Sequence, residues 1–181
     1  MFANQYENQL VHIVTRLDKD TSDHAFCQTW LCPCSLDKQL QAKTIQKRYF
    51  ALVKGKGELE SKGDIIAPIA RDEDSIITRK VAKGGKYAHT SYQVVQSFGD
   101  IHLVDIQLHT GRTHQIRVHF LIWFSTLGDD LYGGSLEDGI LRQALHCHSL
   151  AFYHPFLEEE LRIESSLPDD FSRVLKQLSN I

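Results

Sequence analysis

Cysteine is scarce in this sequence, and long apolar runs are absent. The 181 residues include four cysteines, Cys27, Cys32, Cys34 and Cys147. They are too few and too bunched for a disulfide framework, and they lack the Cys-x₂-Cys pairing of zinc sites. No apolar run approaches the roughly 20 residues that a transmembrane helix needs. The first ten residues have no basic region followed by an apolar core, so they do not form a signal peptide. These absences predict a cytoplasmic protein.

The composition is that of an ordinary globular protein with one core. Hydrophobic residues make up 42% of the chain and charged residues 24%, and the net charge is −3. This charge argues mildly against a polyanionic partner. Basic residues nevertheless dominate between positions 43 and 86, whereas acidic residues gather at 158–160 and 169–170. A molecule with one basic face and a solvated mixed surface are both compatible with this distribution.

The hydrophobic pattern predicts more strands than helices. Strand patterns cover 10–17, 47–54, 90–97, 101–108, 144–153 and 160–164, and helical patterns cover 36–45, a stretch from 113, and 169–178. Thr110 or Thr113 is available to cap the second helix. Most strands are joined by hairpin-length links, which favours an α+β fold with a mixed, largely antiparallel sheet and flanking helices.

The run Arg16-Leu17-Asp18-Lys19-Asp20-Thr21-Ser22 carries the first chemical signal. A carboxylate with a cation two residues before it and hydroxyls three and four residues after it is suited to act as a nucleophile or a base. The same residue types are also common in turns, where Asp and Thr side chains satisfy backbone groups. The run by itself leaves both interpretations open.

A second signal lies at 111–119, which places two arginines and two histidines at the start of the predicted helix. Such a segment could hold a phosphate or clamp a catalytic carboxylate. His109, His114 and His119 recur every five residues, a spacing that advances a helix by about 500° and keeps them off one face. The sequence therefore predicts no metal site.

Several ordered blocks together resemble the RluA-type RNA pseudouridine synthases, which isomerise uridine in ribosomal or transfer RNA. The blocks are residues 16–22, 47–55 and 110–119, and LGDDLYGG at 127–134 followed by 142–155, with a weaker match at 67–72. They cover most of the chain. The resemblance implies the pseudouridine synthase catalytic fold and an RNA-modifying isomerase that needs no cofactor.

The resemblance also implies roles for individual residues. Asp18 would be the catalytic aspartate, which attacks the sugar or abstracts a sugar proton. Tyr49 would stack on the target base and help to remove the last proton, and Arg117 would pair with Asp18. Contacts to the substrate or the RNA would come from Arg16, Lys47, Arg112 and His114.

The resemblance further implies a single catalytic domain over 1–181 that is incomplete at its N-terminus. The expected partner is RNA (rRNA or tRNA), with no membrane, no obligate protein partner and a monomeric state. Residues 23–35 and 120–126 depart from the family pattern, and we hypothesise that they are compensated frameshifts, which resequencing of the locus would test. The alternative function is that of a catalytically inactive RNA-binding remnant.

Overall fold

The computed structural model describes residues 11–13, 18, 21–22, 27–29, 33–55, 57–135 and 139–180. Its main sheet has the strand order β11-β10-β3-β8-β7-β4, and a short strand β9 also pairs with β3. The strands of this sheet are β3 (Gln46–Lys54), β4 (Lys62–Ile66), β7 (His89–Phe98), β8 (Ile101–Leu108), β9 (Ser125–Thr126), β10 (Leu145–His154) and β11 (Glu159–Glu164). Two small sheets pair β1 (Val11–Ile13) with β2 (Cys27–Thr29) and β5 (Ile69–Arg71) with β6 (Arg79–Val81). All the named strand pairs are antiparallel, which confirms the predicted α+β class.

Strand β3 lies inside the sheet, between β10 and β8, and residues on both of its faces are buried. Tyr49, Ala51 and Val53 alternate into one core cluster, which also contains residues of helix α2 (Gln115–Phe120). Leu52 points to the opposite face, where a second cluster contains Phe171 of helix α3 (Asp169–Ser179). Side chains on a strand alternate between faces, so this one strand joins both halves of the core.

The predicted hairpin is confirmed. Strands β7 and β8 pair from Thr90–Leu108 to Phe98–Ile101, and Gly99 and Asp100 form the two-residue loop. Gly99 has φ 65°, a conformation that the tight turns of hairpins require and that glycine adopts without a steric penalty.

Two helix starts differ in detail from the sequence pattern. Helix α1 (Pro33–Ala42) begins at a proline, where the missing N–H costs nothing because the first turn has no acceptor for it. The predicted threonine cap of α2 is wrong. His114 occupies the N-cap position in a left-handed conformation and makes no side-chain cap, while the Thr110 hydroxyl bonds elsewhere.

The divergent segment 120–126 contributes to the core. Phe120 and Phe124 are buried there, whereas Trp123 between them is 61% exposed. Glycine at position 55 lets this segment approach, since a Cβ there would lie 2.6 Å from the Trp123 carbonyl oxygen.

In the part of the chain that the structure describes, none of the helices combines the length and apolar character needed to cross a bilayer.

Candidate active site

A cavity of about 770 Å³ opens where the Asp18 turn, strand β3 and the segment 108–116 meet. Five of the residues singled out from the sequence line this cavity: Asp18, Lys47, Tyr49, Arg112 and His114. They come from positions up to 96 residues apart in the chain, so only the folded topology brings them together. Arg16 lies outside the described residues.

The Asp18 turn is fixed in place by strand β10. Asp18 accepts a hydrogen bond from the Thr21 N–H, which closes the turn through the backbone at 3.1 Å. Ser22 then bridges to His146, with its carbonyl accepting from the Cys147 N–H at 3.0 Å. Because Cys147 pairs with Tyr49 in the sheet, this docking brings the half-buried Asp18 to the cavity that Tyr49 lines.

Tyr49 is mostly enclosed. Its exposed fraction is 5%, and it packs in the core cluster with Ile106, Ile116 and Leu145. The ring therefore presents a limited surface to the cavity, held rigidly by the sheet around it.

Arg117 binds a different carboxylate from the one expected. Its Nε and Nη2 donate to the two carboxylate oxygens of Asp129, both at 2.6 Å, and the two side chains are 4% and 0% exposed. The guanidinium also lies over the Tyr132 ring, 4.8 Å from its centroid. The predicted direct partner of Arg117 was Asp18, and this pairing is corrected by the bidentate bond to Asp129, which comes from the 127–134 block.

The charge of Asp18 still reaches Arg117. Burial alone would lower the pKa of Arg117, but the hydrogen bonds and charge of Asp129 outweigh it and raise the pKa, and the charge of Asp18 adds to this effect. Asp18 and Arg117 therefore interact through their charges. The buried carboxylate of Asp129 holds the Arg117 guanidinium in position.

His114 interacts with the charges of both Asp18 and Arg117. Burial lowers its pKa, the Asp18 charge opposes that shift, and the Arg117 charge reinforces it. The His114 Nδ1 is 2.7 Å from the Tyr132 hydroxyl, which also accepts the Arg79 backbone N–H at 2.8 Å. This hydrogen bond between the ring and the hydroxyl fixes the orientation of the His114 imidazole.

The backbone of His114 is strained. Its φ of 57° is left-handed, a conformation that costs a non-glycine residue about 1–2 kcal/mol. The Tyr132 bond and the packing of α2 hold it there. Strain of this kind is common where a side chain must be aimed at a ligand.

Gln115 fixes the loop that precedes α2. Its Oε1 accepts from the Thr110 hydroxyl at 2.8 Å and from the Arg112 N–H at 2.9 Å. Its Nε2 donates to the His89 carbonyl and to the Thr90 hydroxyl, both at 3.0 Å. All of its hydrogen-bonding capacity is used, so it ties the cavity wall to strand β7.

The remaining cationic side chains line the same cavity. Arg112 is half-buried and donates from Nε to the Tyr87 carbonyl at 2.9 Å, which anchors it on the wall. Lys47 is half-buried two residues before Tyr49 on β3. The anion site that the sequence predicts here stays a prediction, and the dipole of a helix of only six residues would add little to it.

Sequence reasoning gave no role to Asp129 or Tyr132. Both lie in the LGDDLYGG block, where a buried acid and a tyrosine three residues apart flank the Arg117 guanidinium. A signal was available, because a buried arginine needs a carboxylate partner. The partner could not be chosen from the sequence, since 23 acidic residues compete for that role.

The family model and the similar proteins all describe RNA pseudouridine synthases. Residues 3–121 match the sequence pattern of a family described as RNA pseudouridylate synthase. The chain is 40% identical over 173 residues to the uncharacterised RNA pseudouridine synthase YjbO of Bacillus subtilis, covering 92% of this chain and 59% of that protein. It is also 40% identical over 179 residues to the ribosomal large subunit pseudouridine synthase D of Nitrosomonas europaea, covering 93% and 52%. The chain thus spans between half and three fifths of the length of these relatives.

Two solved human structures share the fold. RNA pseudouridylate synthase domain containing 4 has a TM-score of 0.73 at 24% identity, covering 93% of this chain and 76% of the other. RNA pseudouridylate synthase domain containing 1 has a TM-score of 0.72 at 22% identity, covering 99% and 84%.

Proposed function

Because the chain belongs to the RNA pseudouridylate synthase family, we propose that it isomerises specific uridines of a structured RNA to pseudouridine, with Asp18 as the catalytic residue. The observation that carries the proposal is the shared cavity. Asp18 and Tyr49 line it together, with Lys47, Arg112 and His114 on its walls.

The reaction needs a carboxylate beside the sugar and no external reactant. The bond from the sugar to a ring nitrogen breaks, the uracil turns, and a bond from the sugar to a ring carbon forms. The carbon loses a proton and the nitrogen gains one, so the atoms balance without an oxidant or a second substrate. Asp18 is the proposed group that attacks the sugar or removes a sugar proton, and Tyr49 the proposed ring beside the turning base.

The surroundings of Asp18 support this role. Arg117 cannot leave its buried bond to Asp129 without exposing an unpaired charge, so its guanidinium is a fixed positive group that interacts with Asp18. His114 is aimed by Tyr132 and interacts with the same carboxylate. Preorganised charges of this kind stabilise a reacting group without reorganising during the reaction.

The cationic wall supports RNA as the partner. Lys47 and Arg112 line the cavity and are the proposed contacts to phosphate groups, which dominate the affinity for nucleic acids. The reacting carbon of a stacked uridine is not reachable, so the base must turn out of its helix into the cavity. One similar protein is named for the large ribosomal subunit, which makes large-subunit rRNA the first proposed substrate and tRNA the second.

The test measures pseudouridine formation in unmodified transcripts of large-subunit rRNA and of tRNAs. Asp18→Asn keeps the shape of the side chain and removes its charge, and we expect product formation to fall by about two to four orders of magnitude or more. The matched control is Asp100→Asn, in the exposed β7–β8 turn, which should leave the rate unchanged. Equal, nonzero rates for Asp18→Asn and the unaltered chain would remove Asp18 from the mechanism. RNA binding without product in the unaltered chain would favour the inactive remnant.

The monomeric state and the cytoplasmic location stay predictions. Analytical ultracentrifugation of the purified chain, with and without an RNA transcript, tests the first of them.

A further inference from the structure

A cluster of potential metal ligands lies outside the proposed catalytic groups. It consists of Asp64 on β4, His89 at the start of β7 and His109 just after β8. Asp64 pairs with Ser91 across the sheet, and the His109 N–H donates to the His89 carbonyl. Because alternate residues share a face of a strand, the three side chains all lie on one face of three adjacent strands.

The donor atoms of the cluster converge. The His89 Nε2 is 2.7 Å from an Asp64 carboxylate oxygen, and the His89 and His109 rings are stacked with centroids 4.1 Å apart. One ligand atom from each residue lies within 4.8 Å of the others. Donors bound to tetrahedral zinc at about 2.0–2.2 Å lie about 3.4 Å from each other. Side-chain rotations that move the donor atoms by about an ångström would therefore bring all three within bonding distance of one zinc ion.

The cluster is also preorganised by its neighbours. The Ser91 hydroxyl is 2.6 Å from both the Asp64 carboxylate and the His109 Nε2, so it holds these two groups close together and would give up the bond to Nε2 when an ion binds. The backbone of His89 is held at both ends, with its N–H donating to the Thr110 hydroxyl at 2.9 Å and its carbonyl accepting from Gln115. Ligands on a rigid scaffold lose little freedom when an ion binds, which favours affinity.

We propose that Asp64, His89 and His109 form a binding site for a divalent transition metal of the zinc class. Two imidazoles and one carboxylate are a ligand set that suits zinc, and the exposure of Asp64 and His109 leaves a fourth position to water. Metals bind the unprotonated nitrogen of a neutral imidazole, so each histidine would coordinate through Nε2 with its proton on Nδ1. His109 lines the catalytic cavity, so the ion would place positive charge on its rim.

Spacing along the chain could not reveal this site. The five-residue spacing of His109, His114 and His119 predicts no metal site, and in the fold these three histidines have different partners. His114 bonds Tyr132, and His119 bonds Thr90 and Ala67 in the core. The ligands converge only because β4, β7 and β8 are neighbours.

The test titrates Co²⁺ and then Zn²⁺ into the full chain, without RNA, so that it is independent of the proposed function. We expect one equivalent of Co²⁺ to give the visible absorption of a site of low coordination number, and Zn²⁺ to displace it. The variants Asp64→Asn, His89→Gln and His109→Gln should each lower the affinity about tenfold or more. The matched control is His154→Gln, a histidine at the end of β10 outside the cluster, which should bind like the unaltered chain.

A second measurement needs no variant. Zinc should shift the imidazole nitrogen resonances of His89 and His109 and leave those of His119 and His146 in place. Unaltered affinity in all three cluster variants, or zinc-induced shifts confined to other histidines, would overturn the site.

Discussion

At the scale of single residues, the site depends on which carboxylate holds Arg117. A guanidinium with 4% exposure must have a partner, and Asp129 supplies both oxygens at 2.6 Å. Asp129 is thus the hydrogen-bonded partner of Arg117, whereas Asp18 acts on Arg117 and His114 through its charge.

The buried pair predicts a large effect of one substitution. Asp129→Asn leaves the Arg117 charge buried and unpaired, so the free energy of unfolding should fall by about 3–5 kcal/mol. Urea denaturation followed by circular dichroism measures the change. Asp130→Asn is the matched control, because the neighbouring acid is exposed and should change stability by less than about 0.5 kcal/mol. Equal stabilities of the two variants would show that Asp129 does not hold Arg117.

At the scale of secondary-structure elements, the sheet positions the residues of the site. The segment after α2 packs into the core cluster next to β3. The Asp18 turn docks on β10, Tyr49 lies on β3, and the loop before α2 is bonded to β7. The divergent segment 120–126 is part of this arrangement, since Phe124 packs against the end of β3 beside Gly55.

This packing predicts that position 55 tolerates no side chain. In Gly55→Ala the new Cβ would press on the Phe124 ring and lie 2.6 Å from the Trp123 carbonyl, so stability should fall by about 1–3 kcal/mol. Thermal or urea unfolding measures the loss. Gly111→Ala is the control, because its Cβ would meet nothing within 4 Å. If both variants unfold alike, segment 120–126 does not pack as described.

At the scale of the whole molecule, two buried histidines and one half-buried histidine couple stability to pH. Burial is the largest cause of a lowered pKa for His114, His119 and His146. An unfolded histidine takes up a proton near pH 6.5, whereas these three take it up only at lower pH in the folded chain. As the pH falls below about 6.5 the unfolded state binds more protons, and stability is lost toward the lowered folded-state pKa values.

The prediction is a chain that is less stable at pH 5.5 than at pH 7.5. Each fully buried histidine contributes a slope of up to about 1.4 kcal/mol per pH unit. Denaturation at a series of pH values measures the slope. His119→Gln can still donate to the Ala67 carbonyl and does not titrate, so it should flatten the slope by one histidine's share. A free energy of unfolding that stays constant between pH 7.5 and 5.5 would contradict the prediction.

Five long strands (β3, β7, β8, β10 and β11), the hairpin and the family could all be predicted from the sequence, whereas the short strands β5, β6 and β9 could not. Alternating side chains in 47–54 and the Gly99 turn depend on local periodicity and backbone freedom, which are readable without the fold. The ordered blocks around Asp18, Tyr49 and Arg117 can likewise be recognised in the amino-acid sequence.

The contacts between distant groups follow from the fold and could not be predicted from the sequence. In the fold, Arg117 pairs with Asp129, and Asp64 lies beside two histidines on neighbouring strands. His114 adopts a left-handed conformation at the N-cap of α2, and its ring bonds the Tyr132 hydroxyl. The physical reason is that ion pairing and metal ligation depend on distance in space. That distance is set by sheet order and burial, and spacing along the chain does not encode it.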